Sequence, residues 1–224
     1  MKSITNIVSV DPHDPEPEAI SRAAKAIAAG GVVIFPTRGL YGLGADAFNR
    51  DAVRRIFQIK GRPSNKPLLV LISDPVDLHR LVASTGPATR HLMQHFWPGG
   101  VTFVMPAREE LAAELTGGSQ KIGVRQTAHP VAGALVQAVG SPLTGTSANI
   151  SGTGGCARVS DIDPTVVEAV DLVLDCGALA GGPGSTVVDV SAATPLILRL
   201  GAVGSREILR SFKRFAEQDI DNQP

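Results

Sequence analysis

Three permanent cations crowd a proline-stiffened turn at Lys60-Gly61-Arg62-Pro63-Ser64-Asn65-Lys66-Pro67. About 80 residues later, small hydroxyl and amide side chains follow one another on a glycine-flanked loop, Thr144-Gly145-Thr146-Ser147-Ala148-Asn149-Ile150-Ser151-Gly152. Fixed cations beside a hydrogen-bonding loop describe a pocket for an anion. Phosphoryl chemistry in particular is catalysed mainly by positioning and charge stabilisation, which Lys60, Arg62 and Lys66 would supply. Lys60 and Arg62 also fall at a predicted helix end, where the carbonyl dipole welcomes cations without any ligand.

Four further segments carry candidate chemistry. Pro36-Thr37-Arg38-Gly39-Leu40-Tyr41-Gly42-Leu43-Gly44 follows an apolar run, so its backbone N–H groups are placed to cradle a ligand at a sheet's carboxyl edge; an ordinary glycine turn is the plainer alternative. In Trp97-Pro98-Gly99-Gly100-Val101-Thr102, the single tryptophan reads as core, and Thr102 either faces a ligand or fills a strand position. Arg125 ends the run Ile122-Gly123-Val124, where a charge is costly unless paired, and a ligand carboxylate is the favoured partner. Gly181-Gly182-Pro183-Gly184-Ser185-Thr186 precedes Ile197-Leu198-Arg199-Leu200-Gly201, a hairpin pattern in which Arg199 beside Ser185 would complete a cationic pocket. Five scattered histidines support neither a zinc site nor a hydrolase triad.

The elements that must hold these residues alternate along the chain. Periodicity predicts helices over 17–29, 51–60, 75–83, 87–96, 129–139, 163–169 and 205–216, with apolar strands at 32–35, 68–72, 101–105, 121–124, 171–174, 185–190 and 196–200. Residues 37–45 and 144–152 read as loops, and Asp219 to Pro224 as a frayed end. This order implies an α/β fold, a twisted mixed sheet flanked by helices.

Length and composition bound the function. No linker divides the 224 residues, which read as one domain spanning 1–224. Aromatics are only 4%, so the core must be aliphatic. The balance of 21 basic and 21 acidic residues argues against coating nucleic acid by bulk charge, and few aromatics are available to stack bases. Met1-Lys2-Ser3-Ile4-Thr5 lacks the apolar stretch of a secretory signal, no run is long enough to span a bilayer, and Cys156 and Cys176 lack metal-ligand spacing; together these point to a cytoplasmic protein with reduced thiols.

The ordered blocks P-T-x-x-x-Y-G-L-G, K-x-R-P-x-x-K-P-L, W-P-G-x-x-T, V-R, S-A-N-x-S-G, S-T-V-V-D and I-L-R-x-G strongly resemble the Sua5/YrdC/TsaC family of threonylcarbamoyl-AMP synthases over about residues 15–210. The resemblance implies a YrdC/RibB-like domain with a central positively charged cavity. It implies that L-threonine, bicarbonate and ATP, with Mg2+, are joined into threonylcarbamoyl-adenylate and pyrophosphate. The adenylate would serve a downstream tRNA threonylcarbamoyl transferase complex that makes N6-threonylcarbamoyladenosine, with contact to tRNA or double-stranded RNA left open. Carried over onto this sequence, the catalytic cations are Lys60 and Arg62. ATP falls to Lys60, Arg62, Lys66, Ser147, Asn149, Ser185 and Arg199, and threonine to Thr37, Tyr41, Thr102 and Arg125, with no protein metal ligands.

One departure stands out. The family pattern reads P-T-[DE]-T where this chain has Pro36-Thr37-Arg38-Gly39, a base for an acid and a glycine for a threonine. A YciO-like paralogue of altered substrate is therefore the alternative, followed by an RNA-binding translation-associated module. If the loop has only weakened the site, Gly39→Thr is expected to lower the Michaelis constant for threonine.

Overall fold

The computed structural model describes residues 6–221. The reading of Met1 to Thr5, and the Asn222 to Pro224 part of the expected frayed end, lie outside the described residues.

The elements in chain order are β1 (Ile7–Ser9), α1 (Pro17–Ala28), β2 (Val33–Pro36), β3 (Tyr41–Gly44), α2 (Arg50–Lys60), β4 (Leu69–Ile72), α3 (Pro87–Phe96), β5 (Val101–Pro106), α4 (Ala113–Thr116), β6 (Lys121–Gln126), α5 (Pro130–Val139), β7 (Leu143–Thr144), β8 (Thr146–Ser147), α6 (Pro164–Ala169), β9 (Leu172–Asp175), β10 (Thr186–Asp189), β11 (Leu196–Arg199) and α7 (Ser205–Asp221). Local chemistry sets their ends. Proline at the first turn starts α1, α3, α5 and α6. The Asn49 side chain caps α2 by accepting from the Ala52 amide, and Gly61 ends that helix in the left-handed region at φ +54°.

Two mixed sheets form instead of the single expected one. The five-stranded sheet has the order β1-β9-β2-β3-β8, and the six-stranded sheet β11-β10-β5-β6-β4-β7. The chain passes between them within five residues. Leu143–Thr144 pairs with β4 at the edge of one sheet, and Thr146–Ser147 pairs with β3 at the edge of the other. Gly145 makes the step, because a Cβ there would meet Leu71 Cγ at 2.5 Å. One apolar cluster joins both sheets, running from Ile34, Tyr41 and Leu43 through Val70, Ile72, Phe103 and Val124 to Val188 and Ile208. A second lies under α1 and α5, around Ile20, Ile27, Phe35, Leu135 and Leu174.

Several expectations change. The segment 37–45 contains a strand, β3, which forms a hairpin with β2; its YGLG sequence is fully buried and too glycine-rich to show strand periodicity. The loop at 144–152 begins as β7 and β8, two-residue pairings too short to register as a pattern. Residues 75–80 form a 3-10 helix, and the four-residue α4 was not anticipated. Strand β6 runs on to Gln126, so Arg125 lies inside it, and α7 continues past 216 to Asp221. No helix among the described residues is long and apolar enough to cross a membrane.

Candidate active site

A cavity of about 940 Å³ opens between the two sheets. Its floor is one face of the six-stranded sheet, built from alternate residues of three neighbouring strands. These are Ser185, Val187 and Asp189 in and before β10, Gly100, Thr102 and Val104 in and before β5, and Lys121, Gly123 and Arg125 in β6. The register aligns Val187 with Thr102 and Val104 with Gly123. The intervening residues Val101, Phe103, Met105, Ile122, Val124 and Val188 point to the opposite face and are buried in the core. Strand alternation thus assigns one set of side chains to the core and the other to the cavity.

Arg125 is the dominant group. It is 7% exposed, its Nε is buried without a hydrogen-bond partner, and no carboxylate pairs with it among the described residues. Burial, then the charges of Arg199 and Arg38, pull its pKa down to about 10, which leaves it cationic at neutral pH. A desolvated cation without a counter-ion is costly to the fold, so this position favours an anionic ligand over a structural ion pair.

The surrounding residues fall into place around it. Arg199 donates from Nη2 to the Ser185 carbonyl at 2.8 Å, meeting Ser185 as its spacing predicts, whereas Thr186 instead donates to the Val203 carbonyl. Thr102 and Ser185 share a hydroxyl hydrogen bond of 2.6 Å on the floor. Arg62 lines the wall and donates to the Lys66 and Pro67 carbonyls, at 3.3 and 2.9 Å; burial lowers its pKa. The Thr37 hydroxyl closes its own turn on the Leu40 carbonyl at 2.7 Å. Tyr41 reaches the wall, but its single O–H is shared between the Gly177 carbonyl at 2.7 Å and Asp175 Oδ1 at 2.9 Å, and its oxygen accepts from the Cys176 amide. The hydroxyl of that fully buried phenol, its pKa raised by burial, is engaged by the fold.

Lys60, Lys66 and Asn149 do not line the cavity. Lys60 is 2% exposed and donates to the carbonyls of Ser147 and Asn149 and to Asn149 Oδ1. Burial and the Arg62 charge lower its pKa to about 8. Asn149 in turn accepts from the Ser147 hydroxyl and donates to the Ile150 and Thr153 carbonyls, each at 2.7 Å. The Lys60 ammonium is therefore the centre of the Ser147–Asn149 loop, whose Ser147 lines the cavity while Lys60 itself does not. Lys66 is exposed on the turn. Trp97 is core, donating to the Val101 carbonyl and packing on Phe103.

Two lining residues were missed by sequence reading. Lys121 and Asp189 pair at 2.8 Å. Burial alone would raise the Asp189 pKa, but Lys121 and Ser191 outweigh it and hold the carboxylate below its usual range. The signal was present, since Lys121, Gly123 and Arg125 share the period-2 face of one strand. Arg38, whose direction the sequence left open, lies on the cavity wall against Gly100, where a Cβ would meet its Nη1 at 2.9 Å. A Cβ on Gly39 would collide with the Gly181 carbonyl oxygen, and the Gly181 amide donates back to Gly39 at 2.9 Å. The two loops are clasped at a position with no room for a side chain.

A family model for Sua5, YciO and YrdC proteins, described as "Telomere recombination", matches residues 25–201. The chain belongs to the Sua5/YciO/YrdC family. It is 34% identical over 197 residues to the threonylcarbamoyl-AMP synthase of Bacillus subtilis, covering 88% of this chain and 56% of that one. To the threonylcarbamoyl-AMP synthase of Pyrococcus abyssi it is 36% identical over 186 residues, covering 83% of this chain and 55% of the relative. The chain thus spans about half the length of these two relatives. Its fold superposes on P. abyssi Sua5 complexed with L-threonine with a TM-score of 0.86 at 34% identity, over 92% of this chain and 61% of that one. On E. coli YciO the TM-score is 0.79 at 27% identity, over 91% and 98%.

No cluster of three or more potential metal ligands occurs among the described residues. The single carboxylate on the cavity wall, Asp189, is engaged by Lys121. The wall therefore does not fit a protein-built magnesium site, and a magnesium ion would have to arrive on the phosphate oxygens of a nucleotide.

Proposed function

We propose that this chain is a threonylcarbamoyl-AMP synthase, a nucleotidyltransferase acting as one domain with its core at about residues 15–210. It would join L-threonine, bicarbonate and MgATP, the nucleotide and its ion entering together as substrate. The observation that carries the reading is Arg125, a buried guanidinium with no counter-ion among the described residues, in a cavity large enough for a nucleotide and an amino acid. Its natural partner is the threonine carboxylate, gripped by two parallel N–H donors.

The chemistry asks little of the protein beyond placement. A carbamate on the threonine nitrogen is already an oxyanion, so no general base is needed. Its oxygen forms a bond to the α-phosphorus while the bond from that phosphorus to the bridging oxygen breaks, and pyrophosphate leaves with the electron pair. Arg62 and Arg199 would neutralise the phosphates, with Ser147 and Ser185 donating hydrogen bonds and Lys60 holding Ser147 in place. The adenylate would then pass to the tRNA-modifying transferase, in a cytoplasmic setting.

Pyrophosphate release by the purified chain, with ATP, magnesium and bicarbonate and with or without L-threonine, tests the reading, together with mass detection of the adenylate. Threonine-dependent release is the expected result; release or ATP binding indifferent to threonine would overturn it. That second outcome would favour a YciO-like paralogue of altered substrate, a reading supported by the Arg38-Gly39 departure and by the likeness to E. coli YciO along 98% of that chain. Tight, salt-sensitive duplex RNA binding without nucleotide turnover would favour the RNA-binding module.

A further inference from the structure

Five of the residues lining the cavity are cations, Arg38, Arg62, Lys121, Arg125 and Arg199, and one, Asp189, is an anion. Asp189 is held by Lys121 at 2.8 Å and by the Ser191 amide and hydroxyl at 2.9 and 2.6 Å. Among the described residues, no carboxylate on the wall is left to receive a substrate ammonium. Arg62 and Arg199 are tied to backbone carbonyls, but Arg38 and Arg125 have no hydrogen bond or ion pair from their guanidinium groups among the described residues. Arg38 lies exposed on the wall against Gly100, beside the Ala202 and Val203 side chains, and its charge reaches the buried Arg125 on the floor.

A free amino acid at neutral pH is a zwitterion. Its carboxylate suits Arg125, but its ammonium would then face Arg38 with nothing to compensate it. A carbamoylated amino acid carries two anionic ends and no cation, and it matches two unpartnered guanidinium groups. We infer that Arg38 sets the charge state in which the amino acid is accepted, selecting the carboxylate-carbamate dianion over the zwitterion. Resting on the synthase reading, this makes bicarbonate a requirement for amino-acid binding and not only for turnover. In the step that creates the dianion, RNH3+ and HCO3− give RNHCOO−, H2O and H+. The N–C bond forms, the bicarbonate C–OH bond breaks to release water, and the proton goes to solvent.

The test is calorimetric binding to the full chain without ATP, using three stable probes: L-threonine as the zwitterion, N-acetyl-L-threonine as a monoanion, and N-oxalyl-L-threonine as a dianion lacking an ammonium. N-oxalyl-L-threonine is expected to bind at least about tenfold tighter than L-threonine, the effect of one like-charge neighbour. Arg38→Glu should reverse that order and Arg38→Gln should narrow the gap, with melting profiles verifying that both variants are folded. Equal or tighter binding of L-threonine by the wild-type chain overturns the inference, as does an order that Arg38→Glu leaves unchanged, or a failure of all three probes to bind. The two readings separate cleanly. Threonine-dependent pyrophosphate release without dianion preference sinks the inference alone, whereas dianion preference without release sinks the synthase reading and leaves the charge selectivity of the cavity standing.

Discussion

Arg125 and Lys60 are both buried cations whose charged forms are disfavoured by burial, but only Lys60 is compensated by protein acceptors. Arg125 has no acceptor for its Nε, so the fold bears its desolvation without return. Arg125→Met is expected to leave the unfolding free energy within about 1 kcal/mol of wild type, or to raise it. The same change should cut threonine-dependent turnover roughly 100-fold. Urea denaturation and pyrophosphate release on the same preparation would check this; a large loss of stability would mean that Arg125 is structural. Lys60 is satisfied by three oxygens but still desolvated, and burial followed by the Arg62 charge lowers its pKa from the ordinary 10.5 to about 8. The unfolded chain therefore binds more protons between those values, so the Lys60 contribution to stability is greatest above about 10.5 and is lost as pH falls toward 8. Relative to Lys60→Met, the wild-type chain should gain stability between pH 8 and 10.5. Parallel slopes for the two proteins in denaturation series across that window would remove the assignment.

At the level of elements, the clasp between the β2–β3 turn and the 177–184 loop decides what the Arg38-Gly39 departure means. Sequence reading expects Gly39→Thr to lower the Michaelis constant for threonine if the loop has only weakened the site. The structure reverses that expectation, because the new Cβ would collide with the Gly181 carbonyl oxygen. The variant is expected to lose about 1–3 kcal/mol, with no fall in the Michaelis constant for threonine. A lower constant with unchanged melting would show that the loops part easily. Most elements were legible because they obey simple periodicities: α1, α2, α3 and α5 carry one apolar face, and the strands of the six-stranded sheet, apart from two-residue β7, are continuous or alternating apolar runs. What was not legible depends on distant partners. β3 is a strand only because β2 and β8 flank it, and the burial of Lys60 beneath the Ser147–Asn149 loop was not legible because its acceptors lie 87 to 89 residues away. Arg125, Arg199 and Ser185 were legible as residues facing the cavity because charge and hydroxyls on strands are conspicuous, whereas Lys121 shows only through its period-2 alignment with Arg125, and Asp189 looks like an ordinary strand end.

The whole molecule is formally neutral, but its charge is not evenly spread. Five cations and one carboxylate face a single cavity, a formal excess of four positive charges. Nucleotide affinity should therefore weaken severalfold between about 50 and 300 mM salt, less steeply than for contacts on an open surface because the partly buried groups are screened less. Titrating ATP calorimetrically across that range would check this; a salt-independent affinity would place the nucleotide elsewhere. The same excess has a kinetic corollary. On the proposed reaction, a wall that draws in a triphosphate would not distinguish it sharply from the pyrophosphate left behind, and once the bond is cut the leaving group would sit among the arginines that attracted it. Departure, more than bond-making, should then pace the cycle. Inorganic pyrophosphate should compete with ATP at low concentration, and a pyrophosphatase added to the assay should accelerate steady-state turnover while leaving the first turnover unchanged.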